Sequence, residues 1–132
     1  MRDPNNPCLF CNIKKSGLAD ENTLAYASYD TYPVSDLHCL IIPKRHVKDY
    51  FDLNDDEVIA CKNLIKKIKE EILLKDPTVK GFNIGSNSGE VSGQSILHCH
   101  IHLIPRRKGD VENPQGGVRS VIPLKQHYKR KV

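Results

Sequence analysis

The pattern of the chain predicts one α+β domain. Four short segments carry strand signals, one long segment carries a helical stripe, and 132 residues suffice for a single packed core. Thr23 to Tyr29 and Cys39 to Ile42 are apolar or aromatic and bounded by turn formers: Asp20 and Asn22, then Asp30 and Pro33, then Pro43. Asn54-Asp55-Asp56-Glu57 has the form of a capping box, an acceptor side chain followed three residues on by Glu. Behind it Val58, Cys61, Ile65, Ile68 and Ile72 recur in steps of three and four, with Lys62, Lys66, Lys67, Lys69 and Glu70 opposite, so a surface helix runs to about Asp76-Pro77. Gly81 to Ser86 reads as a third strand. After a polar loop from Asn87 to Ser95, Ile96 to Pro105 alternates Cys99, Ile101 and Leu103 with three histidines and reads as the fourth. Asn113 to Gly117 marks a turn before a short apolar stretch, Val118 to Leu124.

Composition excludes several classes. Hydrophobic residues make up 39% and charged residues 27%, the balance of an ordinary globular chain rather than a disordered one. No apolar run approaches the ~20 residues that span a bilayer, and Met1 to Pro7 lacks the apolar stretch of a secretory signal. The expectation is a soluble protein of the cytoplasm or nucleus with no membrane contact. Five cysteines is an odd number, and Cys39, Cys61 and Cys99 lie inside apolar patterns, which argues against a disulfide framework. The net charge of +4 sits largely in Arg106-Arg107-Lys108 and Lys125 to Val132, runs that read as solvated surface, so nucleic acid is not an expected partner. Residues 1–7 and 125–132 are expected to be flexible ends of a domain spanning 1–132.

The chemistry concentrates in His98-Cys99-His100-Ile101-His102. In a strand, residues two apart share a face, so three imidazoles line one surface while Cys99, Ile101 and Leu103 point into the core. Successive histidines then stand ~7 Å apart at the backbone and the outer two ~13 Å, too far for the outer pair to share one metal ion. Two chemistries fit. An adjacent His-x-His pair could help bind a metal. Alternatively, a neutral imidazole attacks phosphorus well, and the N-phosphoryl imidazole it forms is itself reactive, so one histidine could divide a displacement into two easier steps. That second chemistry needs an acceptor for the proton on the other ring nitrogen and donors for the phosphoryl oxygens. Asn87, Ser95, His102 and the backbone from Gly93 to Ser95 are candidate donors.

The run His98-Cys99-His100-Ile101-His102-Leu103-Ile104, with Gly93-Gln94-Ser95 before it and Pro43-Lys44-Arg45-His46 after a strand, resembles the histidine triad family of nucleotide hydrolases and transferases. The resemblance extends from about Cys8 to Pro123. It implies an α+β fold with a five-stranded antiparallel sheet and one long helix, often paired into a homodimer with a continuous sheet. It also implies a nucleotidyl-histidine intermediate at His100, with His102 on the phosphate and leaving group. Ser95 and Asn87, with the Gly93-Gln94 backbone, would bind phosphate, Asp30 the ribose hydroxyls, and His38 would support the triad. A purine nucleotide is the implied substrate, with Leu9, Phe10 and Ile13 flanking the base and no organic cofactor. Having His102 rather than Gln at the third triad position favours the hydrolase branches. The segment after the triad is similar to microbial members associated with dinucleoside polyphosphate hydrolysis, and it departs from the phosphoramidase branch in lacking Trp. A slowly turning nucleotide-binding module is the alternative from another class. An aprataxin-like DNA repair role is disfavoured because no downstream zinc-finger module follows.

Cys8-Leu9-Phe10-Cys11 has the two-residue gap of a zinc knuckle, but a closed site needs four ligands. The family resemblance implies His46 and His98 as the other two, making a structural Cys2His2 zinc site that fastens the N-terminus to the sheet. A reduced thiol pair is the other reading. A thioredoxin-like motif is disfavoured, because Pro4 and Pro7 upstream do not suit the strand that precedes such a motif.

Overall fold

A computed structural model of the chain describes residues 6–131. Five strands form one antiparallel sheet, β1 (Asp20–Glu21), β2 (Ala25–Tyr29), β3 (Cys39–Pro43), β4 (Val79–Gly85) and β5 (Ile101–Arg107), in the order β1-β2-β3-β5-β4. One long helix, α1 (Asp55–Lys75), lies on one face. β1 is too short for periodicity to reveal. It is held to β2 by a turn in which the Asn22 carboxamide accepts from the backbone N–H groups of Leu24 and Ala25.

Alternation along β2 and β3 divides two cores. Ala25, Ala27, Cys39 and Ile41 face α1 and pack with Cys61, Leu64, Ile68 and Ile72. Tyr26, Leu40 and Ile42 face the other way, onto Phe10 of the N-terminal segment. A sheet buried on both faces reads as continuously apolar. α1 starts as its sequence predicts: Asn54 accepts from Glu57 N and Glu57 accepts from Asn54 N, each at 2.9 Å. Its buried arc is rotated toward Glu57 and Leu64, leaving Val58 and Ile65 half-buried. That is the side on which Arg45 grips the buried Glu57 carboxylate, at 2.7 and 3.0 Å. No helix among the described residues is long and apolar enough to cross a membrane.

The last strand begins at Ile101, not Ile96. β3 pairs with β5 from Cys39 opposite Leu103 to Ile41 opposite Ile101, and two residues further β3 reaches Pro43, which has no N–H to continue the ladder. Cys99 N donates instead to Val47 O at 2.7 Å, and His98 precedes the strand in a bend. The alternation nonetheless persists: Cys99, Ile101 and Leu103 are buried, with Ile101 and Leu103 in the α1 core. The histidines lie on the opposite face. Val118 to Leu124 forms an exposed turn of 3-10 helix at Gly117–Val121 and its continuation, not core.

Candidate active site and metal centre

The N-terminal segment crosses the sheet face opposite α1 and brings Cys8 and Cys11 to His98. Cys8 Sγ lies 3.3 Å from His98 Nδ1, Cys11 Sγ lies 3.2 Å from His46 Nδ1 and 3.4 Å from His98 Nδ1, and the two Nδ1 atoms are 3.2 Å apart. All four donor atoms fall within 4.8 Å of one another. A tetrahedron with Zn–N of about 2.0 Å and Zn–S of about 2.3 Å has edges of roughly 3.3–3.8 Å, so the set has the right size and chemistry for zinc. His98 also has the right tautomer. Its Nε2 is 2.8 Å from Pro43 O, and a carbonyl only accepts, so the proton sits on Nε2 and Nδ1 faces the sulfurs with a free lone pair.

The same logic assigns protons at the other histidines. His100 Nδ1 is 2.8 Å from His98 O and must donate to it, so Nε2 carries the lone pair. His38 Nδ1 accepts from Val34 N at 3.1 Å, so its proton is on Nε2, 2.9 Å from His102 Nδ1. His102 therefore accepts at Nδ1 and presents Nε2–H. The His100 and His102 rings have centroids 5.3 Å apart, and Phe10 meets His100 edge-on at 5.0 Å from the other side. A bare imidazole nitrogen thus stands beside an imidazole N–H. This pair suits nucleophilic attack with hydrogen-bond donation to the departing atom.

Comparison with known proteins identifies the family. The family profile of the HIT domain matches residues 14–109. The chain belongs to the HIT family. An uncharacterized HIT-like protein of Methanocaldococcus jannaschii is 38% identical over 129 residues, 92% of this chain and 96% of that protein. The adenosine 5'-monophosphoramidase of Candida albicans is 31% identical, over 76% of this chain and 70% of its own. Among solved structures, a HIT family member from Bacillus subtilis superposes with a TM-score of 0.72 at 33% identity, covering 80% of this chain and 77% of that one. Cys8 and Cys11 lie ahead of the matched HIT residues.

The other residues singled out in this HIT sequence take varied places. Asp30 Oδ1 accepts from Tyr32 N at 2.8 Å, while Oδ2 lies 3.5 Å from His38 Nε2. Asp30, His38 and His102 thus gather three potential metal donors, but a proton already joins the two rings. Asn87 borders the same cavity as His102. Ser95 is exposed on the preceding loop. Gly93 caps a 3-10 turn at φ 93°, close to the Asn87 carboxamide. The buried Gln94 side chain is occupied inside the loop, donating to Lys48 O and Ile96 O and accepting from Gly89 N.

Three contacts escaped the sequence reading. Ser86 Oγ donates to His100 O at 2.7 Å, Val34 N sets the His38 tautomer, and the Phe10 ring rests on His100. The first two involve backbone groups, which no side-chain pattern displays. Burial, with only partial compensation from Asp30, lowers the pKa of His38; burial, then His100 and His38, lowers that of His102. Burial likewise pushes the thiols of Cys39 and Cys99 up to about 12 and that of Cys61 to about 11, making them packing groups rather than nucleophiles.

Proposed function

We propose that this HIT protein is a nucleotide hydrolase that cleaves at the α-phosphate of a purine nucleoside phosphoramidate or dinucleoside polyphosphate through a nucleotidyl-histidine at His100. The observation that carries the reading is the His100 Nδ1–H bond to His98 O, which leaves Nε2 unprotonated on the ring next to His102, whose own proton is on Nε2. The relatives named adenosine 5'-monophosphoramidase, among them the Candida albicans protein, support a nucleotide substrate.

In the first step His100 Nε2 forms a bond to phosphorus, and the bond to the leaving nitrogen or oxygen breaks with its electron pair. That atom takes up one proton from solvent while His102 Nε2–H hydrogen-bonds it, so His102 stays neutral. The phosphorylated imidazole is cationic, and its Nδ1–H remains bonded to the His98 carbonyl, which steadies the charge. Water then attacks phosphorus, His100 is regenerated, and the proton taken up is released. Ser95 and Asn87 hold the phosphoryl oxygens and Asp30 takes the ribose hydroxyls; the backbone N–H groups of Gly93 and Gln94 already donate to Glu90 O and Gly89 O, so these two residues shape the loop rather than bind phosphate. The base lies toward Leu9, Phe10 and Ile13, and His38 orients His102. Cys8, Cys11, His46 and His98 hold a structural zinc ion, which fastens the N-terminal segment beside His100. β4 is a sheet edge, and pairing it with β4 of a second copy makes the homodimer.

Release of AMP from adenosine 5'-phosphoramidate and diadenosine tetraphosphate tests the reading. His100→Ala is expected to lower kcat/KM by about 10⁴-fold or more, the scale of removing a covalent nucleophile. Equal, slow release by both proteins would reduce the chain to a nucleotide-binding module.

A further inference from the structure

The cysteines fall into two groups. Cys39, Cys61 and Cys99 are at most 2% exposed, whereas Cys8 and Cys11 are half-buried in the N-terminal segment. An oxidant arriving from water therefore meets Cys8 and Cys11 first. Neither sulfur takes part in the attack by His100, since both face His98 and His46.

The local geometry keeps the two thiols together. Both sulfurs approach one atom, His98 Nδ1, at 3.3 and 3.4 Å, and they lie within 4.8 Å of each other. Cys11 N donates to Cys8 Sγ at 3.4 Å, so the turn folds both side chains onto one side. Asn12 N closes that turn on Leu9 O at 3.2 Å. Cys8 N donates to Asn6 Oδ1 at 2.9 Å, and the Asn12 carboxamide donates to Asn6 O and Cys8 O at 2.5 and 2.8 Å. The asparagine bonds use no sulfur, so the loop still presents its cysteines as a pair once a bound metal ion departs. A disulfide needs the sulfurs about 2.0 Å apart, a distance that side-chain rotation within such a turn covers. Held this close, each thiol meets its neighbour far more often than a thiol of another molecule.

We propose that Cys8 and Cys11 form a reversible oxidation site, which hydrogen peroxide converts from a pair of metal ligands into a disulfide. The inference rests on the four-ligand metal reading above. One thiolate sulfur attacks a peroxide oxygen, the O–O bond breaks, and the departing hydroxide takes a proton from solvent, leaving a sulfenic acid. The second thiolate attacks that sulfur, the S–O bond breaks, and a second hydroxide leaves and is protonated. The two sulfurs lose two electrons in all, and the peroxide gains them in becoming two water molecules. With the sulfurs bonded to each other, His46 and His98 remain, and two imidazoles fall short of the four ligands of a structural zinc site. Phe10 lies between the cysteines, with its ring centroid 6.1 Å from that of His98 and 5.0 Å from that of His100. Drawing the sulfurs together re-seats that ring, so oxidation of the N-terminal turn is felt at the nucleotide site.

The test treats the zinc-loaded full chain with hydrogen peroxide and follows metal release with a chromophoric chelator, intact mass and a non-reducing peptide map. Zinc is expected to leave in step with a mass loss of about 2 Da, the two thiol hydrogens, and the map should place the new bond between Cys8 and Cys11. The oxidised protein should show a lower Tm and a raised KM for adenosine 5'-phosphoramidate, and dithiothreitol with added zinc should reverse every change. In Cys11→Ser the ring cannot close, so the sulfenic acid at Cys8 should instead be captured by dimedone. Oxidation appearing first at Cys39, Cys61 or Cys99, a disulfide between two copies, or a zinc-loaded protein that keeps both thiols reduced overturns this proposal alone. Reduced protein that takes up no zinc removes the four-ligand reading and this proposal with it.

Discussion

At the scale of single residues, main-chain atoms decide the protonation of the site. The carbonyls of Pro43 and His98 and the N–H of Val34 assign the ring protons of His98, His100 and His38, and His38 in turn assigns that of His102. A pH dependence follows. Burial first, then neighbouring imidazoles in the case of His102, holds His38 and His102 below the usual imidazole range. The unfolded chain therefore takes up protons before the folded one does. Their contribution to stability is fully present above a pH of about 6.5 and is lost as pH falls below it, toward the depressed folded-state values. Urea unfolding between pH 8 and 5 should show a falling midpoint. His38→Asn should flatten that slope, and an identical slope in the variant would contradict the assignment. The triad itself was legible in sequence because three histidines at a period of two are conspicuous. The groups that orient them were not, since Pro43 O, His98 O and Val34 N are main-chain atoms that no side-chain pattern displays.

At the scale of elements, the helix start was legible and its partner was not. Asn54 and Glu57 announce a capping box, but Arg45, twelve residues earlier, shows no sign in sequence of closing over the Glu57 carboxylate. Glu57→Ala removes the cap and the ion pair together and should lower stability by about 1–2 kcal/mol in denaturant unfolding. Adding Asn54→Ala should cost less than it does alone, because the box is already broken; fully additive losses would mean that the two act independently. The β5 boundary shows the converse error. Alternation from Ile96 to Pro105 is real, but a strand also needs a neighbour with free N–H groups, and β3 ends opposite it in Pro43.

At the scale of the molecule, the N-terminal segment is the least predictable part and the one nearest the chemistry. A CxxC supplies two ligands, whereas His46 and His98 lie 35 and 87 residues beyond Cys11, so only the folded sheet brings the four together. Phe10, between the two cysteines, reaches both His98 and His100, so the candidate metal ligands and the seating of His100 share one short loop. The chain should carry one zinc ion per protomer, measured by chelator release. Cys8→Ser should lose it, with a lower Tm and a raised KM for nucleotide rather than a lost fold. Equal zinc content in the variant would contradict the four-ligand site. The central claim is covalent catalysis at His100. Its most direct test is intact-mass analysis of the protein mixed briefly with adenosine 5'-phosphoramidate and quenched without acid. The account predicts a mass increase of one adenylyl group in the wild type and none in His100→Ala, whereas an unmodified wild type during turnover, or an adduct retained in the variant, would contradict it.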